Sequence, residues 1–516
     1  MDGSTDKHAD DWGPFGRPLF NDPAMKRLRR VGVVDVGSNS VRLVIFDGAA
    51  RSPAYFYNEK IMAALGAGVT ETGKLNPEGR QRAIAAIKRF QLLADSLGLE
   101  PLTAVATAAV REATDGPDFC EQVLQETGLQ VYVIDGAEEA RLSAQGVLLG
   151  WPDASGMVCD IGGSSMELAA LTEGQVGACR TSPLGPLRLQ SIKGRKNRKA
   201  HIRSVINDMV DQMGAHQDRL YLVGGSWRAI ARIDMERRGY PLHVLHEYRM
   251  TPKSIRATVA WIAEQDLSEL RGRTGTSEAR MSLVPLACEV LLELVRALKP
   301  REIAISSYGI REGMLYEQMP ENLRHRDPLI EACRFAESKD ARQPGFGKVL
   351  HKFLTPLFRN APVGRRRVIK AACLLHDVSW RAHPDYRHEV CFDNVTRASL
   401  GGLTHNARIF LGLSLLHRYR NSRDNTRFAP LFDLLPEADI ALAEVLGKAM
   451  RFASMLAGDN ADLMGELRWF PKKKRLELRL PAKAAPLFGE VAQSRFNALA
   501  GALKAEAVVK IRRGEG

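Results

Sequence analysis

One pattern occurs twice in this sequence, and it restricts what the chain can fold into. Val31–Val34 and Val41–Phe46 are short apolar runs that read as buried strands, joined by the polar turn Asp35-Val36-Gly37-Ser38-Asn39-Ser40. Two apolar runs about such a turn predict a β-hairpin. The turn by itself reads either as ordinary hairpin punctuation or as a cradle that can wrap a phosphate. Gly37 permits close backbone approach, Ser38, Asn39 and Ser40 offer donors, and Asp35 can hold a metal or its water. The second occurrence runs from Met157 to Ala169, with Asp160-x-Gly162 in the place of Asp35-x-Gly37, Ser165 in that of Ser40 and Leu168 in that of Leu43. A repeated hairpin of this type predicts two related lobes, each giving one loop to a shared cleft.

At 516 residues the chain is too long for one core, and three or four domains are expected. With 45% hydrophobic and 26% charged residues it has the composition of a soluble globular protein. No apolar run approaches the length of a membrane span and the N-terminus lacks a signal-peptide core, so a cytoplasmic protein without a membrane span is expected. The seven cysteines show no CxxC pairing, and Cys159 and Cys373 lie within apolar runs, which predicts reduced core residues. A net charge of +13 suits a polyanionic partner such as nucleic acid, an acidic membrane surface or a phosphate polymer, with a mere solubility feature as the lesser alternative.

Along the chain, residues 1–30 carry no periodicity and read as a disordered basic tail. Asn76-Pro77 opens a helix that Gly98 closes, Leu102–Ala106 and Val131–Ile134 are strands, and a helix starts after Asp135-Gly136 and runs to about Gly150. Glu138 and Glu139 lie in its first turn, where acidic residues are commonplace because they favour the positive end of the helix dipole. Adjacent helical residues point about 100° apart, so both cannot face one cleft squarely. In the second lobe, the basic run from Lys193 to Lys199 is either a solvated face or an anion contact, Leu220–Val223 is a strand leading to the turn Gly224-Gly225-Ser226, and Ile303–Ser306 is a last strand. From about Glu317 the pattern is helical, and from Asn460 it becomes a hairpin turning at Lys472-Lys473-Lys474, then a helix and a strand.

Five segments in this order, Val34-Asp35-Val36-Gly37-Ser38-Asn39-Ser40, Thr107-x-x-Val110-Arg111-Glu112-Ala113, Gly136-Ala137-Glu138-Glu139-Ala140-Arg141, Asp160-Ile161-Gly162-Gly163 and Gly309-Ile310-Arg311-Glu312-Gly313, together resemble the exopolyphosphatase/guanosine pentaphosphate phosphohydrolase family of the actin-like ATPase superfamily. The resemblance covers residues 31–315 well and the helical part more loosely. It implies an α/β fold of two actin-like (RNase H-like) lobes, residues 31–155 and 156–316, a helical HD-like domain at 317–459 and a small α+β domain at 460–516. It implies Glu139 as the general base that activates water and Arg111 as the neutraliser of phosphoryl charge. Gly37, Ser38 and Asn39, with Gly162, Gly163 and Ser165, would cradle phosphates, and Asp160, with Asp35 and Glu167, would hold Mg²⁺, a monovalent cation such as K⁺ being a further possible ion. Such a set suffices for phosphoryl transfer, which is mostly positioning and charge stabilisation.

The second loop departs from the family pattern, with Ser164 in place of a glycine and Met166 in place of a threonine, so Ser164 has to take the backbone angles of that glycine. In the helical domain His376-Asp377 supplies the pair of an HD metal site and His351 can precede it, but no final Asp is assigned; a metal-free domain that extends the polyanion path or the dimer interface is expected. The leading expectation is release of orthophosphate from the end of inorganic polyphosphate. The alternatives are 5′-phosphohydrolysis of guanosine pentaphosphate, an ATP-dependent kinase or chaperone ATPase using Gly224-Gly225 as an adenosine-site turn, and a sensor that binds polyphosphate or guanosine tetra- or pentaphosphate without turnover. A homodimer is implied, and no nucleic acid is required.

Overall fold

The computed structural model describes residues 30–512 other than 48–50, 53, 100, 215–217 and 457–459. The tail expected at 1–30 lies, apart from Arg30, outside the described residues. The chain divides into two compact units between Pro328 and Leu329.

The first unit holds two sheets of one plan. In the first, β1 (Val31–Val36), β2 (Val41–Phe46) and β3 (Tyr55–Ile61) form an antiparallel meander, and β4 (Thr103–Ala106) and β5 (Val131–Val133) add in parallel on the far side of β1, giving the order β3-β2-β1-β4-β5. In the second, β6 (Gly156–Ile161), β7 (Met166–Thr172) and β8 (Gln175–Ser182) repeat the meander. Here β9 (Arg219–Val223) and β11 (Glu302–Ile305) add in parallel beside β6, and the short β10 (Arg249–Met250) closes the edge. The sequence repeat is thus a repeat of topology. The strands run further into the turns than the apolar runs suggested. Asp35 pairs with Arg42 and Asp160 with Glu167 inside the ladders, because the antiparallel bonds continue up to each tight turn.

Two helices lie between the inner faces of the sheets. The helix Gly136–Gly150 begins at Asp135, whose carboxylate accepts the Glu138 N–H at 2.7 Å, and from Leu142 to Gly150 every residue is buried. A helix buried on all sides needs apolar neighbours all round. It finds them in Val33, Val44 and Val105 of the first sheet, Val158, Tyr221 and Ala304 of the second, and Met314 and Leu315 of the helix Ile310–Glu317. The two helices touch backbone to backbone: a Cβ at Gly146 would fall 2.2 Å from the Gly309 carbonyl oxygen, and one at Gly313 1.8 Å from that of Leu142. The C-terminal carbonyls of the first helix, orphaned as helix ends are, are taken by Arg51. This fully buried residue donates to the Leu149 and Leu148 oxygens at 2.7 and 3.0 Å, and to the Arg324 oxygen at 3.0 Å.

The second unit is helical up to Leu456 and then forms the three-stranded sheet β12-β13-β14, with β12 (Glu466–Phe470) and β13 (Arg475–Pro481) antiparallel and β14 (Glu506–Arg512) parallel to β13 after the helix Glu490–Ala502. The β12–β13 turn falls at Lys472–Lys474, where Lys474 takes φ 43°. His376 ends the helix Val363–Leu375, and its Nδ1 faces the Cys373 oxygen at 2.8 Å. Both oxygens of Asp377 are bound by Arg342, at 2.8 and 2.6 Å, so a guanidinium occupies this carboxylate. Among the described residues no three His, Cys, Asp or Glu are grouped to hold a metal ion, and no helix is long and apolar enough to cross a membrane. Cys159 and Cys373 are core residues, and no described cysteine forms a disulfide.

The glycine contact generates a prediction. In Gly313→Ala the added methyl has no space against the Leu142 carbonyl, so the unfolding free energy measured in denaturant should fall by about 1–3 kcal/mol, while the same change at exposed Gly272, with nothing near its Cβ position, should have a far smaller effect.

Candidate active site

The two repeated turns are closed by the same bond. Gly37 N–H donates to the Ser40 oxygen at 3.0 Å and Gly162 N–H to the Ser165 oxygen at 3.0 Å. The loops face one another across the lobes, the Ser38 and Ser164 hydroxyls lying 3.2 Å apart. Each is fixed from its own lobe: Gly66 and Ala64 N–H donate to the Ser38 and Asn39 oxygens, and Leu187 N–H donates to that of Gly163. Ser164 lies outside the positive-φ region, as do Gly162 and Gly163, so a serine fits this position of the loop without backbone strain. Ser165 is buried, whereas Asn39 and Gly162 are exposed at the tips.

Glu139 is presented by the first turn of the central helix and Arg111 by the short helix Ala108–Glu112 that follows β4. Arg111 Nη1 donates to the Ile134 oxygen at 2.8 Å and lies 3.3 Å from Glu139 Oε2. The angular separation of the two glutamates is resolved as helix geometry requires. Glu138 turns to Arg141, which forks its carboxylate at 2.7 Å on both oxygens, and only Glu139 turns to the site. Burial pushes the Glu139 carboxyl up to about 7, against the pull of Arg111 and with the push of Asp160 and Asp35. A general base works best when its pKa lies near the operating pH.

Three further carboxylates belong to this group. Asp160 accepts from Ser143 Oγ at 2.5 Å, and burial raises it, as burial raises Asp35. Glu167 accepts from Thr181 Oγ1 at 3.0 Å, is 1% exposed, and is raised by burial and then by Glu139 and Asp160. Asp35 and Asp160 are therefore the partly open carboxylates, neither in an ion pair closer than 4 Å among the described residues, and Glu167 is closed off beneath the loop. Mg²⁺ characteristically binds through one or two carboxylates plus substrate phosphates. An acidic group so crowded that burial and mutual repulsion raise its members' pKa values fits that mode.

Beyond the carboxylates lies a cationic wall that the motif reading did not assign. Arg228 is pushed down to about 10 by burial and then by Arg311 and Arg280, and Arg42 is lowered by burial and by Arg311. Lys60 feels all four guanidiniums. Arg280 lies against the Gly225 backbone, 2.9 Å from where a Cβ would be, and Arg228 Nε donates to the Gly224 oxygen at 3.2 Å. A Cβ on Gly224, which has φ 115°, would stand 3.1 Å from Asp160 Oδ1, so this third glycine turn borders the site. Arg42 was legible as the ladder partner of Asp35, and Arg311 stands inside a motif already quoted; for Arg280 the sequence held no signal. Two of the five cations of the basic run are committed elsewhere: Arg198 forks Glu289 at 2.8 and 3.0 Å and Arg195 approaches it at 3.7 Å. Arg188 pairs with Glu112 from the other lobe, beside a cavity of about 450 Å³ lined by Thr70, Ser191 and His201.

Two lobes of one strand order, each giving a tight glycine-serine loop that faces the other, with the buried Glu139 on the helix between the sheets, define a protein of the actin-like α/β class. Comparison with known proteins narrows the class. Residues 44–322, more than half of the chain, match the Ppx/GppA phosphatase family, and residues 361–508 match the exopolyphosphatase C-terminal family. The protein belongs to the Ppx/GppA phosphatase family. Exopolyphosphatase 1 of Mycobacterium tuberculosis is 27% identical over 309 residues, covering 56% of this chain and 88% of its own. Retrograde regulation protein 2 of Saccharomyces cerevisiae is 24% identical over 489 residues, covering 85% of this chain and 78% of its own. The crystal structure of the Aquifex aeolicus Ppx/GppA family member superposes with a TM-score of 0.50 at 25% identity, covering 56% of this chain and 97% of that one.

Arg111 opposes the rise in the Glu139 pKa. In Arg111→Met the carboxylate should therefore titrate above 7, read by ¹³C NMR of the glutamate side chain; titration at or below the wild-type value would mean that the two groups do not interact in solution.

Proposed function

We propose that the protein hydrolyses the terminal phosphoanhydride of inorganic polyphosphate and releases orthophosphate. The observation that supports this reading is a buried carboxyl held at about 7, two facing glycine-serine loops and a group of five cations in one lobe pair. The terminal phosphate would lie between the loops, receiving hydrogen bonds from backbone and hydroxyl donors of Gly37, Ser38 and Asn39 and of Gly162, Gly163 and Ser165. Glu139 would accept a proton from water as the water oxygen bonds to the terminal phosphorus. The bridging P–O bond breaks, its electron pair leaves with the shortened chain, and Arg111 offsets the charge that develops on the phosphoryl oxygens. The next phosphates of the chain would meet Arg42, Lys60, Arg228, Arg280 and Arg311, which supply more positive charge than one terminal phosphate requires.

Asp160 and Asp35 are the residues that would hold Mg²⁺, which would supply neutralisation of phosphate charge. We assign Glu167 a supporting role, since it is shut from solvent and hydrogen-bonded to Thr181. The same base and loops would serve the γ-phosphate of guanosine pentaphosphate, and the named relatives that are exopolyphosphatases favour the polymer. A homodimer is the expected assembly, and light scattering measures it.

The test is orthophosphate release from long-chain polyphosphate and from guanosine pentaphosphate by purified protein with Mg²⁺. The polymer should be the faster substrate, chelation of the metal should abolish release, and Glu139→Gln should lower kcat by about 10²–10⁴. The base acts ionised, so kcat should be level above its pKa and fall about tenfold per pH unit below it. Faster release from the nucleotide would reassign the substrate, and release from neither would leave a binding protein.

A further inference from the structure

Three arginines of the C-terminal unit lie near one another on helices that pack together, and Arg451 feels the other two. Arg418 is near the end of the helix His405–Tyr419, Arg451 is in the helix Glu437–Leu456, and Arg495 is in the helix Glu490–Ala502. The packing fixes their meeting. A Cβ at Gly447 would fall 2.3 Å from that of His417, so the first two helices cross in close contact beside Arg418, and Arg451 follows Gly447 by one turn on the same face. Next to Arg451, Phe452 packs on Phe496 with ring centroids 5.1 Å apart, which brings the third helix in at Arg495.

The donors at this junction are orphaned. Arg418 Nε, Arg451 Nη1 and Arg495 Nε are closed to solvent and have no hydrogen-bond acceptor, and Arg418 as a whole is 8% exposed. None of the three forms an ion pair with a carboxylate among the described residues. The carboxylate that Arg418 senses, Asp377, already has both oxygens bound by Arg342. Burial pushes Arg451 down to about 10, and Arg495 and then Arg418 push it further, so Arg451 lies within electrostatic reach of both. A purely packing role accounts for part of this: Arg418 lies 4.8 Å from the Tyr419 ring centroid. It leaves the inward N–H groups without acceptors, and buried polar groups are as a rule hydrogen-bonded.

We propose that Arg418, Arg451 and Arg495 form an anion site that takes a phosphate group. Guanidinium forks match the oxygens of a phosphate bidentately. Three of them supply several inward donors and more charge than chloride or a single carboxylate would balance. The site is built wholly from the second unit and is independent of the hydrolytic reading above. Its ligand is free orthophosphate or the phosphate of a longer phosphorylated anion, which share this chemistry.

Peptide-resolved hydrogen exchange on the full chain tests it, with orthophosphate, non-hydrolysable imidodiphosphate and chloride compared at equal ionic strength. Orthophosphate or imidodiphosphate should slow exchange in segments 405–419, 437–456 and 490–502, with the stronger of the two identifying the source, and Arg451→Met should weaken that response at least tenfold. Arg495→Met, at a half-buried position, gives the same test should Arg451→Met fail to fold. The proposal is overturned if chloride protects these helices as well as phosphate does, if neither phosphate anion protects them, or if a folded variant responds like wild type.

Discussion

Helix against helix, Gly313 sits so close to the Leu142 carbonyl that no side chain can stand between them, and Gly146 meets Gly309 in the same way. This backbone contact decides where the helix Gly136–Gly150 lies, and the position of that helix decides where its first turn points. Its body is enclosed by the inner faces of both sheets. Its far end is held by Arg51, which satisfies two of its last carbonyls. A helix so immobilised presents Glu139 from a rigid support, the arrangement a catalytic carboxylate requires. Motion of one lobe against the other would act on this helix first, since it packs on both.

Charge in the cleft is arranged by the same fold. Asp35, Glu139, Asp160 and Glu167 are brought together from β1, the central helix, β6 and β7, and burial raises every one of them. Arg42, Arg228, Arg280 and Arg311 gather near them and crowd one another. Arg311 and Arg42 pull the Asp35 carboxyl down, and Arg228 and Arg311 that of Asp160, so acidic and basic groups act on one another here against the effect of burial. In water such like-charged groups would be screened and worth little, and it is desolvation that makes their placement consequential.

Much of this was legible in the residues. The two strand-turn-strand segments, the helix after Asp135, the late hairpin at Lys472–Lys474 and the core cysteines follow from period, turn chemistry and apolar runs, all of which act over a few residues. The family motifs pointed to Glu139, Arg111 and both loops, and the structure brings these into one cleft. What escaped was whatever depended on distant parts of the chain. Arg280 meets Gly225 through a helix far along the sequence, and Arg342 occupies Asp377 where the sequence offered only a His-Asp pair. Ser164 has to take the backbone angles of a glycine, and only the folded loop shows that these lie outside the positive-φ region.

The sequence by itself determined the repeat, the two loops and the Glu138-Glu139 pair in a first helical turn, because each is local chemistry written in adjacent residues. The tertiary structure alone decided which glutamate of the pair turns to Arg111 with a pKa near 7, which carboxylates stay partly exposed, and which cations stand near them. Those properties are set by burial and by neighbours from other elements, and neither exists until the sheets and helices have packed.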